Sequence, residues 1–213
     1  LGPLLAGLAL LVVTYTGLFI ANSAAFLVSA VLIVMTRLPA GQPVDRLGGL
    51  GRQISFGLVS YLKTPRLRGL LMLYLAVSGA SAMVIVNTVV YVRENLGGTE
   101  SDVALAMAAA GGGSMFVALL LPRLLDTISD RPVMLWGSAC MAVGLALMGT
   151  GPGFGGVLAI WCVIGIGWSL VQTPAGRVVN RSAAPGDRPA YFSAQFALSH
   201  ACWLLFYPLA GQL

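Results

Sequence analysis

Charge is scarce in this sequence. Only 9% of its 213 residues are charged and 58% are hydrophobic, whereas a soluble domain carries about 25% charged residues to cover its surface. That excludes an ordinary soluble protein and marks an integral membrane one. There is one histidine, and there are three cysteines, Cys140, Cys162 and Cys202, each alone inside an apolar run. Neither a disulfide framework nor a zinc site fits that spacing. A membrane enzyme would need paired histidines or carboxylates at helical spacing, and a lone His200 cannot supply them; no metal and no cofactor is expected. The single lysine, Lys63, lies in a polar stretch, so no late-helix Schiff base to retinal is available. No ring of charge or repeated filter sequence marks a channel. The pI near 9.5 does not point to nucleic acid, because the basic residues stand at helix ends and loops, where anionic head groups are their partners. No signal peptide is inferred. The chain opens on Leu1, Gly2 and Pro3 inside an apolar run, which reads as part of something longer.

Long uncharged runs fill the rest. About 20 apolar residues cross the hydrocarbon core at 1.5 Å rise per residue. Residues 1–36 hold no charge and are too many for one crossing. Thr14, Tyr15, Thr16 and Gly17 supply a turn, so one helix is expected to end near 15 and another to run from about 18 to 37. Gly69 to Val92 is a third uncharged run, and Val103 to Pro122 a fourth, rich in alanine and glycine that let helix backbones approach closely. Pro132 to Gly176 is uncharged for 45 residues; Gly149, Thr150, Gly151, Pro152 and Gly153 divide it into two spans. A last span is expected from about Pro189 to Leu213. The expectation is an all-α integral membrane protein of about seven transmembrane helices.

The polar stretch from Arg37 to Arg68 carries six of the twelve basic residues, Arg37, Arg46, Arg52, Lys63, Arg66 and Arg68, against one acid, Asp45. By the positive-inside rule it lies in the cytoplasm. Alternating the loops across seven spans then puts eleven basic residues inside and only Arg93 outside, beside Glu94, Glu100 and Asp102. Within the stretch, Leu47, Leu50, Ile54, Leu58 and Leu62 recur at three- and four-residue spacing, an amphipathic helix. Two placements are open to it: flat on the inner membrane surface, or packed on the protein's own cytoplasmic face.

No Asp, Glu, Lys or Arg falls at mid-depth of a span. The polar groups left within the membrane are Asn22, Asn87, Gln172, Gln195 and His200. His200, near the middle of the last span, is the one ionisable candidate for substrate or proton handling; a neutral imidazole bonded to a neighbouring helix is the alternative. Asn87, Gln172 and Gln195 are candidates for lining a cavity or for holding helices together. Pro174 and Pro208 remove backbone donors inside helical runs, as gates or as simple bends.

Several motifs together carry a family resemblance. The opening LGPLLAG resembles the fifth-helix signature of drug exporters in the major facilitator superfamily, with Gly2, Pro3 and Gly7 matching and Ala6 where a glycine is usual. FIANSAAFLVSAVLIVMTRLP is similar to the sixth helix of that group. YLKTPRLRGLL resembles the start of the seventh, and YVRENLGGTESDVALAMAAAGGG the junction of the seventh with the eighth. PRLLDTISDRPVML lies where the family has a degenerate copy of its cytoplasmic gating motif. Asp126 matches the motif's acid and Arg131 lies close by, while Thr127 stands where arginine is usual.

The resemblance implies a partial helical bundle of the major facilitator type, helices five to eleven of twelve. Residues 1–37 would be the last two helices of the N-terminal bundle, 38–68 the central cytoplasmic loop, and 69–213 the first five helices of the C-terminal bundle. Helices one to four and twelve of the same polypeptide would be partners, with the lipid bilayer, a small-molecule substrate and protons. It implies alternating access around a midplane site, in a multi-pass protein of the bacterial inner membrane. The expected activity is proton-coupled efflux of hydrophobic or amphiphilic compounds, not enzymic chemistry. The alternatives are export of a metal cation or siderophore, with His200 as a ligand, and a non-transporting seven-helix receptor.

Overall fold

The computed structural model describes residues 13–36 and 50–212. The expected helix before residue 15, with Gly2, Pro3 and Gly7, lies outside the described residues, as do Arg37, Asp45, Arg46 and Leu47. Every described element is helical. The chain runs α1 (Tyr15–Met35), α2 (Leu50–Lys63), α3 (Pro65–Val90), α4 (Glu100–Leu124), α5 (Asp130–Met148), α6 (Phe154–Ser182) and α7 (Arg188–Ala210).

Helix starts follow from local chemistry. Thr14 caps α1, its hydroxyl accepting from the Gly17 amide at 3.3 Å; an N-cap oxygen satisfies one of the orphan donors of a first turn. Pro65 opens α3 in its first turn, where the missing N–H costs nothing. Thr99 and Asp102 form a reciprocal capping box at the head of α4. Between α3 and α4 the helix widens over Tyr91–Asn95 and stops at Gly97, whose φ of 65° suits glycine. Gly151, at φ 68°, breaks the 45-residue apolar run where the turn was expected.

The helices overrun the uncharged stretches that announced them. α3 begins at Pro65 rather than Gly69, and α6 continues to Ser182, so Arg177, Asn180 and Arg181 are helical rather than loop. The backbone keeps its hydrogen bonds by staying helical past the hydrocarbon boundary, and the charged side chains emerge there. α6 also runs on through Pro174.

Five of the described helices, α1, α3, α4, α5 and α6, are long and apolar enough to cross a membrane by length and composition. α7 has the length, at 23 residues. Ser193, Gln195, Ser199 and His200 make it less apolar, and most of these polar groups turn out to share a cavity wall.

α6 is the central helix. It packs along α4 and α5 and also touches α3, while α7 packs on α3 and α2. Close approach depends on small residues: a Cβ added at Gly137 of α5 would sit 2.6 Å from the Gly167 carbonyl oxygen of α6, and one at Gly167 would sit 2.5 Å from that of Gly137. Where lipid supplies no hydrophobic drive, such contact is what holds helices together. A polar tie adds to it, the Trp161 indole N–H donating to the Thr88 hydroxyl at 2.8 Å in the buried seam of α6 and α3. Phe116, Leu119, Trp136 and Leu204 face outward, as a lipid-facing surface requires. α1 stands apart, exposed from Phe19 to its end.

The amphipathic helix forms as α2, and it packs on α7 through Gly57 and Tyr61. A Cβ at Gly57 would lie 2.7 Å from the Ala190 carbonyl oxygen, and Tyr61 is fully buried. Ile54 and Leu62 of the apolar stripe remain exposed, with Leu58 half-buried between them.

Candidate functional site

Two places gather polar chemistry. The first is a cavity of about 580 Å³ between α3, α6 and α7, with Tyr74, Gln172, Phe192, Gln195, Phe196 and Ser199 in its wall. Its positions on α7 follow helical periodicity: Phe192, Gln195, Phe196 and Ser199 recur three and four apart and so share one face. Gln172, Ala175, Gly176 and Val179 do the same on α6. No lining residue among those described carries a formal charge. The wall combines aromatic faces with amides and hydroxyls, a surface that suits an uncharged or amphiphilic organic molecule.

Gln195 is buried, at 8% exposure. The Tyr61 hydroxyl donates to its Oε1, while its Nε2 has no hydrogen-bond partner among the described residues. Burial first, then the neighbouring Tyr74 and Cys202, push the Tyr61 phenol well above its usual pKa, so Tyr61 stays a neutral donor. Ser199 turns its hydroxyl back to the Phe196 carbonyl at 2.9 Å.

The second place is a charge cluster at the end of the bundle where α5 begins and α6 ends. Asp130, the first residue of α5, is nearly buried. Arg181 Nη1 donates to its Oδ2 at 2.7 Å, and Arg177 Nε lies 3.5 Å from Oδ1. Arg177 also donates to the Leu125 carbonyl at 3.1 Å. The carboxylate at a helix N-terminus is further favoured by the helix dipole. The two arginines stand four apart on α6, one above the other, and clamp the α4–α5 turn. Sorting loops by charge had put these segments on the same side, and the fold brings them into contact.

Of the residues singled out in the sequence, Gln172 and Gln195 meet at the cavity. Asn87 does not; it is half-buried on α3, its amide donating to Met83 Sδ at 3.2 Å. His200 is exposed on the neighbouring face of α7, its ring tilted 35° against that of Phe196 with centroids 4.0 Å apart, and Nδ1 is bonded to the Phe196 carbonyl at 2.7 Å. Asp126 is exposed and borders a smaller hollow with Arg123 and Arg177. Arg131 is exposed at the rim of a larger, mainly apolar hollow of about 840 Å³ between α3, α5 and α6.

Sequence reasoning missed Asp130 and Tyr61. The signal for Asp130 was present: an acid after a serine at a helix start, facing two arginines at four-residue spacing. For Tyr61 there was none, since its role depends on how α2 meets α7.

The chain matches the family model of the Major Facilitator Superfamily over residues 1–212. It belongs to that superfamily. As a major facilitator protein it is a multi-pass membrane transporter, and its helical bundle accords with that assignment. Comparisons with curated proteins and with solved structures each return no match.

Proposed function

We propose that this major facilitator protein exports small hydrophobic or amphiphilic compounds by proton-coupled alternating access, and that the cavity between α3, α6 and α7 is its half of the substrate site. The observation that carries the reading is the cavity's composition. Phe192, Phe196 and Tyr74 offer apolar and aromatic surface, and Gln172 and Gln195 add neutral hydrogen-bonding groups. A wall without formal charge imposes little cost on an apolar solute, whereas a metal cation would want several His, Cys or carboxylate ligands.

Three further points belong to the proposal. α1 is the last helix of an N-terminal bundle, and its bare surface pairs with further helices of the same polypeptide. α2 is a helix of the central cytoplasmic loop, and α3 to α7 form the C-terminal bundle. The basic ends of α2, α3, α5 and α6 face the cytoplasm of a bacterial inner membrane. Drug-exporter direction rests on the resemblance of the Gly2, Pro3 and Gly7 motif.

The test is export from pump-deficient bacteria expressing the full-length polypeptide, with a fluorescent lipophilic cation, with and without an uncoupler, and a nickel or cobalt challenge in parallel. Uncoupler-sensitive dye export that falls in Gln172→Ala and Gln195→Ala supports the reading. Metal tolerance without dye export contradicts it.

A further inference from the structure

The buried amide of Gln195 is held in one orientation from outside the membrane bundle. Tyr61 belongs to α2 and Gln195 to α7, 134 residues apart in sequence, and Gly57 brings the two helices into backbone contact. The Tyr61 hydroxyl donates to Gln195 Oε1. Turning the amide over would place Nε2 against the hydroxyl oxygen, leaving both the phenolic hydrogen and Oε1 without partners. Each orientation makes one hydrogen bond, but a phenol donates more strongly than its oxygen accepts, so the orientation seen is the favoured one.

What remains is Nε2, with two N–H groups and no acceptor among the described residues, in a residue that lines the cavity. An unpartnered buried donor is destabilising. A ligand acceptor would remove that cost, and a ligand donor could not. We propose that Gln195 is a specificity-determining residue, which selects substrates bearing a carbonyl or ether oxygen, and that Tyr61 is the positioning residue that keeps its amide donating. This rests on the reading of the α3, α6 and α7 cavity as a substrate site and narrows it to acceptor-bearing amphiphiles.

The experiment compares two fluorophores of equal shape on the full-length protein in nanodiscs: a propionyl-substituted dimethylaminonaphthalene, and its propyl analogue in which a methylene replaces the carbonyl. Wild type is expected to bind the carbonyl probe about tenfold more tightly, one hydrogen bond's worth, and to red-shift its emission as the carbonyl accepts. Gln195→Leu brings the carbonyl probe down to the affinity of the propyl analogue and abolishes the red shift. Tyr61→Phe frees the amide to turn, and narrows the preference to about threefold. Equal binding of both probes by wild type overturns the inference while leaving the cavity reading intact, and needs no variant to fold. A preference that persists in Gln195→Leu overturns it as well. Binding of neither probe overturns the cavity reading and this inference with it.

Discussion

Asp130 Oδ2 accepts from Arg181 Nη1 at 2.7 Å, fastening the first turn of α5 to the last turns of α6. The carboxylate is nearly buried while Arg181 is mostly exposed, so solvent screens part of the attraction. Asp130→Asn is expected to lower stability by about 1–3 kcal/mol, read as a drop in thermal unfolding temperature in detergent. In a double-mutant cycle with Arg181→Gln the two losses should fall short of additive. Additive losses would mean the pair is incidental.

The contact of Gly137 with Gly167 predicts a sharp contrast among glycines. Gly167→Val drives side-chain atoms into the α5 backbone, an overpacking of about 1–3 kcal/mol or more. Gly112→Ala, in the interior of α4 with nothing within 4 Å of an added Cβ, should be neutral or stabilising by up to about 1 kcal/mol. Thermal unfolding of the two variants side by side checks both.

Trp161 and Thr88 should be energetically coupled. Thr88→Val strands the indole N–H in the α3–α6 seam, and Trp161→Phe removes the donor itself. A cycle over both sites is expected to give a coupling of about 0.6 kcal/mol, and no more than about 1.7, as for hydrogen bonds between membrane helices. A value indistinguishable from zero would show that the 2.8 Å contact adds nothing to stability.

Asp102 gives a pH dependence at the other end of the bundle. Its carboxylate accepts from the Thr99 amide at 2.7 Å and hydroxyl at 2.8 Å, and these bonds hold its pKa below the usual carboxylate value near 3.8. A depressed acid stabilises the cap fully above that usual value, and its contribution fades as pH falls through the lower folded one. Protection of the Thr99 and Asp102 amides, relative to their intrinsic exchange rates at each pH, should therefore fall only in that acidic window, and Asp102→Asn should remove that fall.

The sequence made the helices visible because a membrane imposes one rule, an apolar run of crossing length, that needs no tertiary knowledge. Gly151 marked its turn, and the loop charges put the α4–α5 turn on the same side as the end of α6. Helix ends are less legible: α6 runs on past Gly176 through Arg177 and Arg181, because charge ends an apolar run without ending a helix. The site was half legible. Gln172 and Gln195 stand out as amides in apolar surroundings, but that both line one cavity, and that His200 turns away, depends on helix rotation. In α2 the Ile54, Leu58 and Leu62 stripe announced the helix, while its packing face, Gly57 and Tyr61, was chosen by the need for close approach to Ala190.

The most direct measurement is photolabelling of the full-length protein with a diazirine-bearing lipophilic cation, the labelled peptides identified by mass spectrometry. The account predicts label on α7 around Phe192 and Phe196 and on α6 around Gln172, competed away by unlabelled compound. Competable label gathered instead in the larger hollow, around Leu70 and Met134, would place the substrate elsewhere and contradict it.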